Sequence, residues 1–398
     1  KASNATRALN SPVNRRLVVI WYSSLSGGIH LNTLSDFPGP AHKYVLGRLS
    51  MLGYSKEKAN LAFERMLEDD LPAEATPGNK YVSFEELTKA LSELDVSTVG
   101  LAYDSEDYNY DPSELPAEEI LDRQRLGAFD SKPLDLRAIK QLVKSTHPYW
   151  SLILLSDNLS NLDVPVEWGY ADIAENFTGR EAFLRDLGSE LKFLIVTEGS
   201  SDANIIRKAL TFLRPEIADF FTFVDMEEGY PFTGTGNLYR FCQGLTSIAI
   251  QNKVLVIYDN DAEGKARYLD TSKLRLPKDM SVMKLPDHST FERFATEGPN
   301  GSSVDDINGR AAAIECFLDL DWQCSDQPHV RWTSYNRILS AYQGELANKE
   351  QYVRGFLELK RRESGYKFDK LSIVLDAIVH ECTEIAARDA SDFLVEYL

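Results

Sequence analysis

Apolar residues in the second half of the chain alternate between short continuous runs and runs at helical spacing. The continuous runs predict strands over Phe193–Thr197, Phe220–Val224, Val254–Tyr258 and Val282–Leu285. Between them, Ala203–Leu213 and Leu238–Gln251 have the spacing of amphipathic helices. Strands that alternate with helices are typical of βαβ units, so we predict a mostly parallel sheet flanked by helices.

The first half of the chain is less regular. Ser83, followed by Glu86 three residues later, has the pattern of a capping box and predicts the start of a helix. A second helix is predicted from Ser55 to Leu67. The remaining predictions are a strand at Arg16–Tyr22, an acidic loop at Tyr103–Pro116, a helix at Leu134–Ser145 and a buried strand at Trp150–Leu155.

The pattern changes again after Pro286. We predict a loop containing Gly298–Gly301, a helix over Gly309–Leu318 and a mostly helical tail. The predicted fold class is therefore α/β, with three parts. An N-terminal α+β domain covers residues 1–185, a central sheet domain covers residues 190–290, and a mostly helical C-terminal region covers residues 291–398.

Charge and cysteine content narrow the class of protein. The chain has 43 basic and 61 acidic residues, a net charge of −18, which argues against broad non-specific nucleic-acid binding. A local basic track is still compatible with that balance. The four cysteines form no CxxC pattern, and no apolar run approaches the roughly 18 residues that a membrane span needs. We expect a cytoplasmic protein without a membrane partner.

Acidic residues follow three of the predicted strands. Glu198, Asp225 and the pair Asp259/Asp261 come at the carboxyl ends, where open α/β sheets bind ligands. Clustered carboxylates repel one another unless a cation neutralises them, so a divalent metal site is predicted. Asp202 is either the cap of the following helix or part of the site. Glu263 is either a further ligand or a cap.

Glu198-Gly-Ser-Ser-Asp202 and Asp259-Asn-Asp261 after apolar strands resemble the motifs of Toprim domains, over about residues 192–286. This resemblance implies phosphodiester chemistry with Mg²⁺ or Mn²⁺. Glu198, Asp259, Asp261 and Glu263 would be metal ligands, and Glu198, Asp202, Asp259 and Asp261 would be catalytic. The match covers about a quarter of the chain.

Three further segments resemble HEPN/Toprim-associated proteins, which occur in bacterial defence settings: Val166–Tyr170, Met226–Pro231 and Asp306–Glu315. The resemblance implies that the N-terminal domain is that family's associated domain. The chain has no HEPN ribonuclease signature and no Walker A loop, so neither a second nuclease nor ATP-driven activity is expected.

Other residues could complete the site. Gly234 and Gly236 precede a predicted helix and either bind a phosphate or form a plain loop. Lys284 either offsets negative charge on the transition state or extends to solvent. Lys360, Arg361 and Arg362 form the densest basic patch, either a nucleic-acid surface or a solvated helix face. Glu227 and Glu228 could join the acids, whereas Glu315 is expected to be a solvated helix residue.

The sequence thus favours a metal-dependent nuclease, an endonuclease hydrolysing RNA or DNA, in a bacterial defence or toxin-like role. The alternative is a non-catalytic regulatory module that binds nucleic acid or a nucleotide and works with a partner protein. Nucleotidyl transfer as in primases is a third, weaker option, since no zinc-binding segment is present. A defence-system partner and a homo-oligomer are both left open.

Overall fold

The computed structural model describes residues 42–70, 83–99, 148–166, 191–224, 234–248, 250, 252–322, 327–337, 339–360, 362 and 365–396. The chain divides into two compact units. Unit 1 comprises Lys1–Asp186 and Ala390–Leu398, and unit 2 comprises Leu187–Asp389. Three elements predicted in the first unit lie outside the described residues: the strand at Arg16–Tyr22, the loop at Tyr103–Pro116 and the helix at Leu134–Ser145.

The described part of unit 1 is helical. Its helices are α1 (His42–Met51), α2 (Lys56–Asp70), α3 (Phe84–Ser92), α4 (Val96–Val99) and α5 (Pro148–Leu155). Buried side chains such as Leu49, Phe63, Leu91 and Trp150 form one apolar core. The predicted helices at Ser55–Leu67 and after Ser83 are confirmed as α2 and α3. The capping box is also present, because Ser83 Oγ accepts from Glu86 N and Glu86 Oε2 accepts from Ser83 N.

The predicted strand at Trp150–Leu155 is wrong. These residues belong to α5, and Trp150, Ile153, Leu154 and Leu155 pack into the core of unit 1. A short, continuous apolar run is compatible with a buried strand and with a buried helix, and period alone does not separate them. Here helix α5 packs against α1, α2 and α3.

Unit 2 contains the predicted parallel sheet. Its strands are β1 (Phe193–Val196), β2 (Phe221–Phe223), β3 (Lys253–Tyr258) and β5 (Met280–Lys284), in the spatial order β2-β1-β3-β5. All three pairings are parallel. Helices α6 (Ser200–Leu213), α7 (Thr235–Ser247) and α8 (Ala262–Thr271) connect them, which confirms the α/β class. Strand β3 is buried along its whole length, so it forms the centre of the unit.

A second sheet, which the sequence did not predict, follows in the C-terminal region. It contains β6 (Phe294–Gly298), β7 (Gly301–Asp305), β9 (Val330–Asn336) and β10 (Ala341–Leu346), in the order β10-β9-β6-β7. The predicted loop at Gly298–Gly301 is the turn between β6 and β7. The helical part of the prediction corresponds to α9 (Lys349–Glu358) and α10 (Asp369–Glu396).

The predicted helix at Gly309–Leu318 is also wrong. Gly309 has a left-handed backbone (φ +68°), and the short strand β8 (Ala311–Ala312) pairs antiparallel with β4 (Asn260–Asp261). A 3₁₀ turn follows at Ile314–Phe317. Tertiary pairing therefore overrides the helix propensity of the alanine run, and it brings this segment beside the acidic pair. Among the described residues, no helix is both long and apolar enough to cross a membrane.

Candidate functional site

Glu198 follows β1, and Asp259 follows the neighbouring parallel strand β3. The two residues are in direct contact, because Glu198 Oε1 accepts a hydrogen bond from the backbone N–H of Asp259 at 3.1 Å. Because β1 and β3 are adjacent and parallel, the residues that follow them lie at the same edge of the sheet. The predicted meeting of the acidic strand ends is thus observed for these two strands. Asp225, Glu227 and Glu228 lie outside the described residues.

Asp259 and Asp261 flank Asn260, whose side chain bonds elsewhere, to Pro286 O and Asp287 Oδ1. Asp259 Oδ1 accepts from the backbone N–H of Ile314 at 3.2 Å. Asp261 is the N-cap of α8, and its Oδ1 accepts from Gly264 N at 2.7 Å. Capping is therefore one role of Asp261, and it fixes one of its two carboxylate oxygens.

Gly264, in the first turn of α8, allows the close approach of the two strand ends. A Cβ atom at this position would lie 2.3 Å from Asp259 O and 3.0 Å from Glu198 Oε1. Real Cβ atoms do not tolerate the first distance, so a side chain here would displace the backbone of Asp259. The glycine is required by packing against the acids, a role that the sequence did not reveal.

Asp202 lies in the first turn of α6. Its Oδ2 accepts from the backbone N–H of Gly199 at 3.0 Å, and its Oδ1 accepts from Ser201 Oγ at 3.1 Å. The capping role predicted for Asp202 is therefore present. Burial, followed by repulsion from Glu315, raises its pKa to about 7, so the same carboxyl also belongs electrostatically to the acid cluster.

The acid cluster is defined as Glu198, Asp202, Asp259, Asp261 and Glu315, and the pKa values of the first four are raised. Burial first, and then repulsion from Asp261, raises the pKa of Glu198 to about 8. Burial and the neighbouring carboxylates also raise the pKa of Asp259 well above its ordinary range, and burial raises that of Asp261. The cluster therefore retains protons near neutral pH unless a cation compensates its charge.

Glu315 was expected to be solvated, and this expectation is wrong. The residue lies in the 3₁₀ turn at Ile314–Phe317 and is buried, with 5% of its surface exposed. Its Oε1 is 3.8 Å from Nζ of Lys349, the first residue of α9. Burial opposes the charged form of Lys349, but Glu315, Glu345 and nearby acids outweigh it and raise the lysine pKa. Lys349 was not a predicted site residue.

Glu263 and Gln343 connect the start of α8 to other parts of unit 2. Glu263 Oε1 accepts from Thr235 Oγ1 at 2.8 Å, at the start of α7. Gln343, on β10, accepts from the backbone N–H of Glu263 at 2.9 Å and donates to Asp261 Oδ2. No local motif marks Gln343 in the sequence, because its contacts arise only when the second sheet packs against α8.

The predicted substrate-binding residues are dispersed. Gly234 has φ +90°, and its N–H lies 3.4 Å from Glu198 O, whereas Gly236 lies within α7. Lys284 Nζ donates to Asn260 Oδ1 at 3.1 Å and to Asp287 Oδ1 at 2.9 Å, so its charge is engaged there. Of the three residues of the basic patch, the structure describes Lys360 and Arg362, whereas Arg361 lies outside the described residues. In the described residues, no hydrogen bond joins Lys360 or Arg362 to the acid cluster.

Whether these residues suit a divalent metal can be judged from their oxygen atoms. Crowded, desolvated carboxylates are the donors that Mg²⁺ and Mn²⁺ prefer. Within the described part of the chain, Glu198 Oε2 and Asp259 Oδ2 accept no hydrogen bond. The donor chemistry therefore fits. Over the same residues, however, no three or more acidic, histidine or cysteine side chains are placed so that together they could hold a metal ion.

Comparison with known proteins bears on the first unit. Residues 41–188 match the model of the family described as HEPN/Toprim N-terminal domain 1. This match supports a HEPN/Toprim-associated protein. No curated protein and no solved structure matches the chain. The HEPN/Toprim match ends at residue 188, before the acid cluster begins, so the chemistry of the cluster rests on its own geometry.

Proposed function

We propose that unit 2 is a Mg²⁺- or Mn²⁺-dependent nuclease that hydrolyses phosphodiester bonds in RNA or DNA. The observation that carries the proposal is the contact between Glu198 and Asp259 at the carboxyl edge of the parallel sheet, within a set of carboxyls whose pKa values are raised. Perturbed titratable groups at such an edge are typical of catalytic sites. The HEPN/Toprim match of the preceding residues is compatible with this assignment.

The proposed roles use the carboxylate oxygens of the site, of which Glu198 Oε2 and Asp259 Oδ2 accept no hydrogen bond within the described residues. Glu198, Asp259, Asp261 and Glu263 would hold the metal, which when bound supplies a Lewis acid for the phosphoryl group. Alternatively, Glu198 would leave the metal to the other acids and accept the proton of the attacking water at Oε2. Asp202 would orient the Glu198–Gly199 turn through its bond to Gly199 N. The Gly234–Gly236 segment, Lys284, Lys360, Arg361 and Arg362 remain candidate phosphate contacts.

The proposal is tested by cleavage of labelled single- and double-stranded RNA and DNA, with Mg²⁺, Mn²⁺ or EDTA. Cleavage should require the metal and should fall by about 100-fold or more in Glu198→Gln and Asp259→Asn. Glu358→Gln, an exposed acid at the end of α9, is the matched control and should cleave like the wild type. Undiminished cleavage in both cluster variants would exclude the assigned roles.

A second candidate is a non-catalytic module that binds nucleic acid or a nucleotide and works with a partner protein. The observation that favours it is that no ready three-ligand group occurs in the described residues. Binding of nucleic acid without turnover under every metal condition, unchanged in Asp259→Asn, would support this module and contradict the nuclease.

A bacterial defence or toxin-like role is part of the proposal and rests on the HEPN/Toprim association. It predicts that expression of the wild type slows bacterial growth and that Glu198→Gln relieves this effect. Equal toxicity of wild type and variant at equal protein levels would assign the toxicity to something other than the cluster.

A further inference from the structure

Gln343 lies on the second sheet, yet both ends of its side-chain amide contact the start of α8, at Asp261 and Glu263. Its Oε1 accepts from Glu263 N at 2.9 Å, while its Nε2 donates to Asp261 Oδ2. The amide orientation is defined by these partners, because the flipped amide would oppose donor to donor and oxygen to carboxylate. Gln343 therefore makes a two-point contact that no shorter or singly polar side chain could make.

The contact completes the hydrogen bonding of two groups. Asp261 Oδ1 is already fixed by Gly264 N at 2.7 Å, so the bond from Gln343 fixes the second oxygen and prevents rotation of the carboxylate. The N–H of Glu263 belongs to the first turn of α8, where backbone donors have no partner within the helix. Gln343 supplies an acceptor for this N–H at 2.9 Å and joins the start of α8 to the second sheet.

The backbone around Gln343 is itself fixed. Strand β10 is irregular between Gln343 and Gly344, and Gly344 N donates to Arg310 O at 3.1 Å. A Cβ at Gly344 would lie 2.6 Å from Val330 Cγ1 and 3.0 Å from Ala311 Cβ, so only glycine permits this approach. Ala311 in turn pairs with Asp261. The irregularity thus places Gln343 directly beside the segment that it contacts.

We propose that Gln343 is a positioning residue that sets the orientation of the Asp261 carboxylate and of the first turn of α8, which makes the second sheet an integral part of the site. Its consequence for metal binding rests on the proposed function, whereas the contact itself does not. A partner that orients a ligating carboxylate typically changes metal affinity by about 10- to 100-fold when removed.

The test uses two substitutions of nearly equal size in the full chain. Gln343→Met keeps the length of the side chain and removes both hydrogen bonds. Gln343→Glu keeps an oxygen that can accept from Glu263 N. Ser334→Ala, at the exposed residue paired with Gln343 across β9 and β10, is the control. Hydrogen–deuterium exchange is resolved to the single amide of Glu263, without metal, after thermal melting has confirmed that each variant is folded.

We expect Glu263 N–H to exchange about five- to tenfold faster in Gln343→Met and near the wild-type rate in Ser334→Ala. At about pH 5, where the protonated carboxyl that Gln343→Glu introduces can donate to Asp261 Oδ2, that variant should also stay near the wild-type rate. A role in packing alone would leave the Met variant like the wild type, and that result would overturn the proposal. Calorimetric titration with Mn²⁺ should then show about tenfold weaker binding in Gln343→Met. If the wild type binds no Mn²⁺, the proposed function fails, while the exchange rates still decide the role of Gln343.

Discussion

At the scale of single residues, the raised pKa of Glu198 links the acid cluster to stability. The folded protein binds the Glu198 proton with a pKa of about 8, against an ordinary value of 4.5. The folded state therefore retains a proton that the unfolded chain releases, so stability is fully present below pH 4.5 and declines as pH rises toward 8. In EDTA, urea unfolding should show this decline.

Glu198→Gln removes the charge but keeps an oxygen that can accept from Asp259 N. At pH 8 in EDTA it should raise the free energy of unfolding by about 1–3 kcal/mol, and at pH 5 it should have little effect. Glu358→Gln, at an exposed acid at the end of α9, should change neither value. A wild-type stability that is equal at both pH values would contradict the inferred burial of the charge.

Gly264 allows a second residue-scale prediction. The methyl group of an alanine at this position would collide with Asp259 O and crowd Glu198 Oε1. Gly264→Ala should therefore destabilise the protein by about 1–3 kcal/mol. Gly244 provides the control, because it lies in helix α7 and a Cβ there has no atom within 4 Å. Gly244→Ala should be neutral or stabilise by up to about 1 kcal/mol, as is usual for glycine in a helix interior. Equal effects in urea unfolding would exclude the proposed steric conflict.

At the scale of elements, the capping box of α3 shows what local sequence can specify. Ser83→Ala removes the acceptor for Glu86 N and should cost unit 1 about 1 kcal/mol of stability. Ser83→Thr retains a side-chain acceptor and should cost less. Thermal melting of both variants measures these losses, and an unchanged stability of Ser83→Ala would show that the cap does not contribute.

The elements differ in how far the sequence predicts them, for a physical reason. Helix α3 follows a local rule, since its cap needs no distant partner, and the β-branched residues of β3 favour a strand before any pairing forms. Helix α5 and strand β8 were mispredicted because their form depends on what they pack against. The short strand β8 exists through its pairing with Asn260 and Asp261, about 50 residues earlier, and no local pattern indicates that pairing.

At the scale of the whole molecule, the candidate site combines predictable and unpredictable parts. Glu198, Asp259 and Asp261 could be identified because strand ends are local signals that a parallel sheet brings together. Gln343 and Lys349 could not, because they reach the acids from the second sheet and from the helix after it. Gln343 is 82 residues from Asp261. Glu315 was misjudged for the same reason, since its burial follows from the β4–β8 pairing.

The net charge of −18 leads to the last prediction, which concerns nucleic-acid binding by the full chain. Repulsion between phosphates and this charge should make binding weak in EDTA. Mn²⁺ should strengthen it by two routes: general screening, which is equal in every variant, and neutralisation of the acid cluster, which requires Asp259. At constant ionic strength, set with NaCl, screening is the same with and without Mn²⁺, so only the second route changes binding.

Fluorescence anisotropy with a labelled oligonucleotide should therefore show at least about tenfold tighter binding of the wild type with Mn²⁺, and a much smaller gain in Asp259→Asn. Equal gains would assign the effect to screening and would leave the acid cluster without a part in binding.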